Sequence, residues 1–302
     1  FLKDKILGYN FLQLIILSSI WGSAFLAIKI SIESINPVTV ASGRLLIGSL
    51  FLYIYFKYKK LIFTPSIRVI FYIFLIGLIG NFIPFFLISW SEQYIQSNTA
   101  GLLLSVAPIF ALILSHFLTK DDKFSLRKLI SILIGLFGVI FIIGFDTLIN
   151  ISSHPTGNVL PKFVIMIAAL GYVISSILAY NIKNVSTIAL TTFVTINAAF
   201  ISLPFMLVAE FNHSSLFNFD SSLSLIYLGL FPTAIAFVLR FHIISKAGPI
   251  FLSYVAYLIP VFAIFWGYIF LKETISFDIL IGVVLVLFGV FLSRRTNAES
   301  NN

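Results

Sequence analysis

Apolar residues along this chain neither alternate nor form a narrow helical stripe. They come in solid runs, separated by short clusters of Pro, Asn, Ser and charged residues. A helix that crosses the hydrocarbon core of a bilayer needs about 20 mostly apolar residues, with a range of roughly 17–25. By that test the chain divides into ten candidate spans: Phe11 to Ile30, Val38 to Phe56, Val69 to Trp90, Thr99 to Leu118, Leu129 to Phe145, Phe163 to Tyr180, Ile188 to Ala209, Leu223 to Leu239, Phe251 to Leu271 and Phe277 to Ser293. Strands of a membrane barrel would alternate polar and apolar over about ten residues, and these runs do not. The connections are short except for Asp146 to Pro161 and Phe211 to Ser222. The first run exceeds the 7–15 residues typical of a signal-peptide core and has no small-residue cleavage site after it, so it reads as a retained helix. The predicted fold class is all-α integral membrane, with ten transmembrane helices and no soluble domain.

The pattern repeats at about half the chain length. Pro-Ile-Phe-Ala at Pro108 to Ala111 returns as Pro-Val-Phe-Ala at Pro260 to Ala263, an offset of 152 residues. Each is followed by an apolar run that ends in Lys and an acid, Lys120-Asp121 and Lys272-Glu273. Leu-Phe-Gly-Val occurs at Leu136 to Val139 and again at Leu287 to Val290, and Gly77 matches Gly229 at the prolines' offset. Four matches in order indicate duplication, with units predicted at 10–146 and 161–295. Five spans per copy is odd, so the second copy enters the membrane from the opposite face. Two inverted five-helix repeats of this kind underlie many secondary transporters.

Charge adds orientation. With the N-terminus cytoplasmic, the inner side holds fifteen Lys and Arg, among them Lys57, Lys59, Lys60, Arg127, Lys128, Arg240, Arg294 and Arg295, against three outside, Lys29, Lys162 and Lys272. Basic residues gather on the cytoplasmic side of membrane proteins, so both termini are predicted there, in the cell (inner) membrane. The acids Glu33, Glu92, Asp146, Glu210, Asp220, Glu273 and Asp278 collect on the outer face. In that light the net charge of +8 is an orientation signal, and no nucleic-acid motif accompanies it.

Composition then limits the chemistry. The 302 residues are 60% hydrophobic and 10% charged, with mean hydropathy +1.09, against roughly 45–50% and about 25% in soluble domains. The chain lacks Cys, which removes thiolate catalysis and Cys-ligated metals. The four His, at 116, 154, 213 and 242, show no metal-ligand spacing, and neither a Walker loop nor a Gly-x-Ser-x-Gly elbow occurs. No catalytic residue, metal or cofactor is expected. The partners are a small-molecule substrate and the bilayer, with no nucleic acid, and the protein as a monomer or weak homo-oligomer.

Polar and aromatic residues within apolar runs are the candidates for a substrate cavity. Arg44, inside the second span, either faces an anionic substrate group or ties up backbone carbonyls near the interface. Glu92 and Gln93, after Trp90, sit at an outer mouth or in a solvated loop. Asn81, Ser176 and Asn197 either bond a permeant or hold helices together, as do Ser175, Thr191, Thr192 and Thr195. Trp21, Tyr172, Tyr254 and Tyr257 line a cavity or anchor at interfaces. Lys29 reads as an interface anchor, and cytoplasmic placement alone accounts for Arg240 and His242. Pro84, Pro108, Pro204, Pro232 and Pro260 remove backbone hydrogen bonds and predict kinks. Pro108 and Pro260, at matching repeat positions, are the candidate gating elements.

These residues together resemble the drug/metabolite transporter superfamily, specifically its EamA-type members. The run Trp21-Gly22-Ser23-Ala24-Phe25 with Lys29, Pro37 and Arg44 is similar to the family's first two helices, and Glu92-Gln93-Tyr94-Ile95, Ala100-Gly101-Leu102-Leu103 and Pro108 to its third and fourth. In the second copy Arg240-Phe241-His242, Gly248, Ser253, Tyr257-Leu258-Ile259-Pro260-Val261-Phe262, Lys272-Glu273 and Gly289 do likewise. Asp121 departs from the usual Glu after the fourth helix. The resemblance implies ten helices around a central cavity and movement of small metabolites, often by export. The predicted function is a secondary transporter of a small metabolite such as an amino acid or related amphipathic solute. The alternative is an integral-membrane enzyme acting on lipid-linked substrates, which requires clustered carboxylates or His at a membrane face.

Overall fold

The computed structural model describes residues 2–95, 97–120, 124–143, 159–212, 218–271 and 277–299, and among them every regular element is helical. The first half contains α1 (Leu2–Ser31), α2 (Pro37–Tyr58), α3 (Ile67–Gly77), a π-helical turn (Leu78–Phe82), α4 (Ile83–Ser91), α5 (Ser97–Leu104), α6 (Ala107–Leu118) and α7 (Leu126–Ile143). The second contains α8 (Val159–Tyr180), α9 (Thr187–Asn212), α10 (Phe219–Leu228), a second π-helical turn (Gly229–Ile235), α11 (Ala236–Ser253), α12 (Val255–Leu271) and α13 (Phe277–Glu299). Among the described residues six stretches are long and apolar enough to cross a membrane: Tyr9–Ser31, Pro37–Tyr58, Ile67–Ser91, Leu160–Tyr180, Thr187–Phe211 and Phe219–Ser253. Ala107–Leu118 and Leu280–Gly289 are apolar but shorter. Asp121, Asp146, His154, His213 and Lys272-Glu273 lie outside the described residues.

Burial is arranged for an apolar solvent. Leu50, Ile54, Phe71, Phe117, Phe163 and Phe200 point outward, while Ser18, Ser131, Thr191, Thr192 and Thr195 are buried. A hydroxyl in hydrocarbon must find an acceptor, and the nearest is the carbonyl one turn back. Ser18 donates to Leu14 (2.7 Å), Thr191 to Thr187 (2.7 Å) and Thr195 to Thr191 (2.8 Å). Thr192 donates to Ile188 (2.8 Å) and reaches across to the Leu52 carbonyl (3.4 Å). Thr192 therefore links its helix to the one that carries Leu52, while Thr191 and Thr195 bond within their own helix.

Small residues set the crossings between halves. α7 packs against α13 and α2 against α9. A Cβ on Gly138 would lie 2.6 Å from the Val286 nitrogen, and one on Gly289 2.8 Å from the Gly135 nitrogen, so the α7–α13 crossing needs glycine on both sides. α1 lies against α10, α11 and α12, while α8 lies against α4, α5 and α6. Each half's first helix thus inserts into the other half.

The π-helical turns follow Gly77 and begin at Gly229, the pair separated by 152 residues. Proline explains the carbonyls they release. Pro84 has no N–H, which leaves the Gly80 carbonyl without its normal donor, and Pro232 does the same to Leu228. The Leu228 carbonyl accepts from Thr233 Oγ1 at 2.8 Å and the Gly80 carbonyl from Arg240 Nη1 at 3.4 Å. Pro260 frees the Ala256 carbonyl, and Ser105 Oγ donates to it at 3.2 Å. Helix α9 continues through Pro204.

The eighth apolar run differs from its expected end at Leu239. Helical structure continues to Ser253, interrupted at Gly248 (φ 85°, ψ 168°) before Pro249. That backbone conformation is open to glycine alone, and a residue preceding proline is already driven from the helical region.

Candidate substrate cavity

A cavity with about 790 Å³ of empty space, part of it continuous with the outside, lies between the halves. Its walls come from α1 (Trp21, Ala24, Phe25, Ile28), α2 (Arg44), α4 (Phe85, Ile88), α8 (Tyr172, Val173, Ser176) and α11 (Arg240, Leu252, Ser253), with α5, α6 and α12 completing them. The lining is mostly apolar and aromatic, contains two arginines and, among the described residues, contains no Asp or Glu.

Four sequence candidates meet there: Trp21, Arg44, Tyr172 and Ser176. The Trp21 and Tyr172 rings are stacked, with centroids 6.5 Å apart. Trp21 Nε1 donates to the Pro232 carbonyl at 2.9 Å, which ties α1 to the second π-helical turn. Ser176 donates to the Tyr172 carbonyl at 2.7 Å and accepts from Arg240.

The remaining candidates stand outside the lining. Asn81 is buried behind it, where its Oδ1 accepts from Arg240 Nη1 at 3.2 Å. Trp90 packs on Tyr94 with centroids 5.0 Å apart. Glu92 is buried and Gln93 exposed; the Glu92 carbonyl, at the end of α4, accepts from Lys29 Nζ at 2.6 Å. Asn197 is half-buried on α9 beside Gly77, whose added Cβ would lie 2.8 Å from its Oδ1. Tyr254 is buried in the break between α11 and α12 and Tyr257 in the first turn of α12, where it donates to the Ile132 carbonyl at 3.0 Å. Pro108 opens α6, and Pro260 is buried within α12.

Arg240 is the cavity residue that cytoplasmic placement did not foresee. It is 1% exposed and lies within α11. Its guanidinium donates to the Gly80 carbonyl, Asn81 Oδ1, the Tyr172 carbonyl, Ser175 Oγ and Ser176 Oγ. A signal was available: apolar sequence resumes at Phe241, Ile243 and Ile244, which places the charge inside a longer hydrophobic segment.

The two arginines form a cross-braced arrangement. Arg44 Nε donates to Thr233 Oγ1 at 3.0 Å, and Arg240 donates to Asn81. Asn81 and Thr233 are themselves 152 residues apart, one in each π-helical turn. Arg44 Cζ stands 3.7 Å over the Phe85 ring, Arg240 Cζ 5.5 Å over that of Phe237, and the two rings lie 5.7 Å apart. Phe85 and Phe237 share the same offset. Each arginine thus rests on an aromatic face and bonds the bulged helix of the opposite half.

Duplicated halves, cavity and arginines agree with what comparison finds: residues 10–144 and 160–295 each match the EamA-like transporter family. The chain belongs to that family. It is similar to Uncharacterized transporter YoaV of Bacillus subtilis (strain 168), at 27% identity over 292 residues, covering 94% of this chain and 96% of the relative. An uncharacterized transporter of Archaeoglobus fulgidus is 26% identical over 281 residues, covering 91% and 95%. Protein PagO of Salmonella typhimurium is 25% identical over 283 residues, covering 92% and 90%. A solved crystal structure superposes with a TM-score of 0.73 at 18% identity over 93% of this chain and 97% of that one, which shows a shared fold. This EamA-like transporter is therefore an all-helical, multi-pass membrane protein with two repeats.

Proposed function

We propose that this transporter is a secondary carrier of a small metabolite, such as an amino acid or a related amphipathic solute, and that it works in export. In this reading ten spans form two inverted five-helix repeats, approximately 10–146 and 161–295, in the cell (inner) membrane with both termini cytoplasmic. Alternating access comes from rocking one repeat against the other, with Pro108 and Pro260 as gating elements. The observation that carries the reading is the cavity at the junction of the halves, flanked by two π-helical turns at repeat-equivalent positions. Irregular helix is tolerated at membrane depth where protein or a cavity surrounds it, and such segments are natural hinges.

Purified protein in proteoliposomes should show saturable flux and counterflow for a suitable solute. Conductance without saturation would replace the carrier with a channel. Because the chain has no Cys, single cysteines added at the termini and tested with membrane-impermeant thiol reagents report orientation directly. Labelling of either terminus from outside intact cells overturns the cytoplasmic assignment. Metabolite profiling of cells with and without the gene tests export, and an intracellular loss on deletion reverses the direction.

A further inference from the structure

We infer that Arg44 is the anion-binding residue of the cavity, and that its ligand is an organic acid carrying one carboxylate on an apolar body. This rests on the carrier reading above and narrows it, because an ordinary zwitterionic amino acid does not suit the site.

The two cavity arginines differ in what they have left to give. All the terminal nitrogens of Arg240 are engaged with neutral protein acceptors. Arg44 donates from Nε alone, to Thr233, and among the described residues its Nη1 and Nη2 have no acceptor. Those nitrogens are not sealed in protein: Arg44 is 3% exposed, and that remnant belongs to the cavity it lines. Glu92 acts on Arg44 through space but forms no ion pair with it and does not line the cavity. A buried guanidinium with two open donor nitrogens is costly and marks a substrate pathway when it faces a cavity between helices. The open Nη pair is a planar fork, whose natural complement is the two oxygens of a carboxylate.

The rest of the lining selects against positive charge. Among the described lining residues an ammonium would find no acidic side chain, and the two guanidiniums repel it. Ser176 Oγ is already used twice, donating to the Tyr172 carbonyl and accepting from Arg240. Trp21, Phe25, Ile28 and Phe85 offer an apolar and aromatic bed for the remainder of the ligand.

The test uses three solutes with the same phenyl ring and different charge: 3-phenylpropionate, L-phenylalanine and phenethylamine. Each is titrated against the full chain in phosphatidylcholine nanodiscs, with tryptophan fluorescence and thermal unfolding as readouts. 3-Phenylpropionate should bind saturably and most tightly. R44Q should weaken it at least about tenfold, as expected for loss of a charge-assisted hydrogen bond, while R44K, which keeps the charge without the fork, weakens it less. Equal binding to wild type and R44Q, preference for either amine, or no binding of the carboxylate overturns the proposal. If R44Q does not fold, R44K decides, and unchanged affinity in R44K removes the fork. Phosphatidylglycerol added to the nanodiscs should leave binding unchanged; competition that depends on Arg44 would make a lipid headgroup the occupant and overturn the soluble acid. Counterflow in proteoliposomes separates the two levels of failure. Saturable flux of a zwitterion independent of Arg44 keeps the carrier and removes the anion site. Arg44-dependent binding of 3-phenylpropionate without flux of any solute keeps the site and removes the carrier.

Discussion

Arg44 and Arg240 are the same residue type in the same cavity wall, and both are nearly inaccessible. Each rests on one of a pair of repeat-equivalent phenylalanines and bonds the π-helical turn of the other half. They differ in satisfaction. Arg240 donates to five neutral acceptors, one of them the carbonyl that Pro84 frees, whereas Arg44 makes one hydrogen bond among the described residues. In a medium without water a charge is either used up by the protein or kept for a ligand. The contrast teaches that near-symmetric architecture supports two asymmetric tasks, bracing on one side and binding on the other.

The largest effect should come from the braced side. At about 0.6 kcal/mol for each membrane hydrogen bond, replacing Arg240 by Gln costs about 3 kcal/mol and should greatly lower the unfolding temperature in detergent; if R240Q is as stable as R44Q, the comparison fails. Next is Gly171→Ala. A Cβ there would lie 2.6 Å from the Ile79 carbonyl, so the first π-helical turn must shift, at about 1–3 kcal/mol, and tighter solute binding by G171A would contradict its bracing role. R44Q should cost under about 1 kcal/mol of stability, since one bond is lost, while solute affinity falls; a large stability loss with intact affinity would make Arg44 a second brace. The smallest change in solute affinity is expected for Thr233→Val, whose two lost hydrogen bonds, from Arg44 and to the Leu228 carbonyl, cost about 1.2 kcal/mol of stability. If T233V transports no solute although it loses no more stability than this, the Arg44 link to the second π-helical turn is part of the moving machinery.

Much of the frame was legible in the chain. Uninterrupted apolar runs locate most helix bodies to within a few residues, and Trp21, Arg44, Tyr172 and Ser176, picked as polar or aromatic intrusions, converge on one cavity. Arg240 was not legible because an apolar run that ends at a charge looks like a membrane edge. Only the continuation of α11 and the acceptors on α8 and the first π-helical turn show otherwise. Asn81 looked like a cavity residue for the reverse reason. Its polarity was visible, but not that Arg240 would occupy its Oδ1. The break at Gly248 was hidden because a Gly-Pro pair inside an apolar segment is compatible with a kinked or a broken helix.

By itself the sequence determined the solvent and the element type: backbone groups in lipid must be bonded within their own segment, so long apolar runs become helices, and the repeat-matched Gly77 and Gly229 mark where the π-helical turns fall. Only the tertiary structure decided which polar groups are spent and which remain open. The carbonyl freed by Pro84 is met by an arginine 160 residues away, while the two Nη nitrogens of Arg44 meet no acceptor among the described residues. Such assignments depend on distances between helices that no local pattern encodes, and they separate a residue that holds the fold from one positioned to hold a solute.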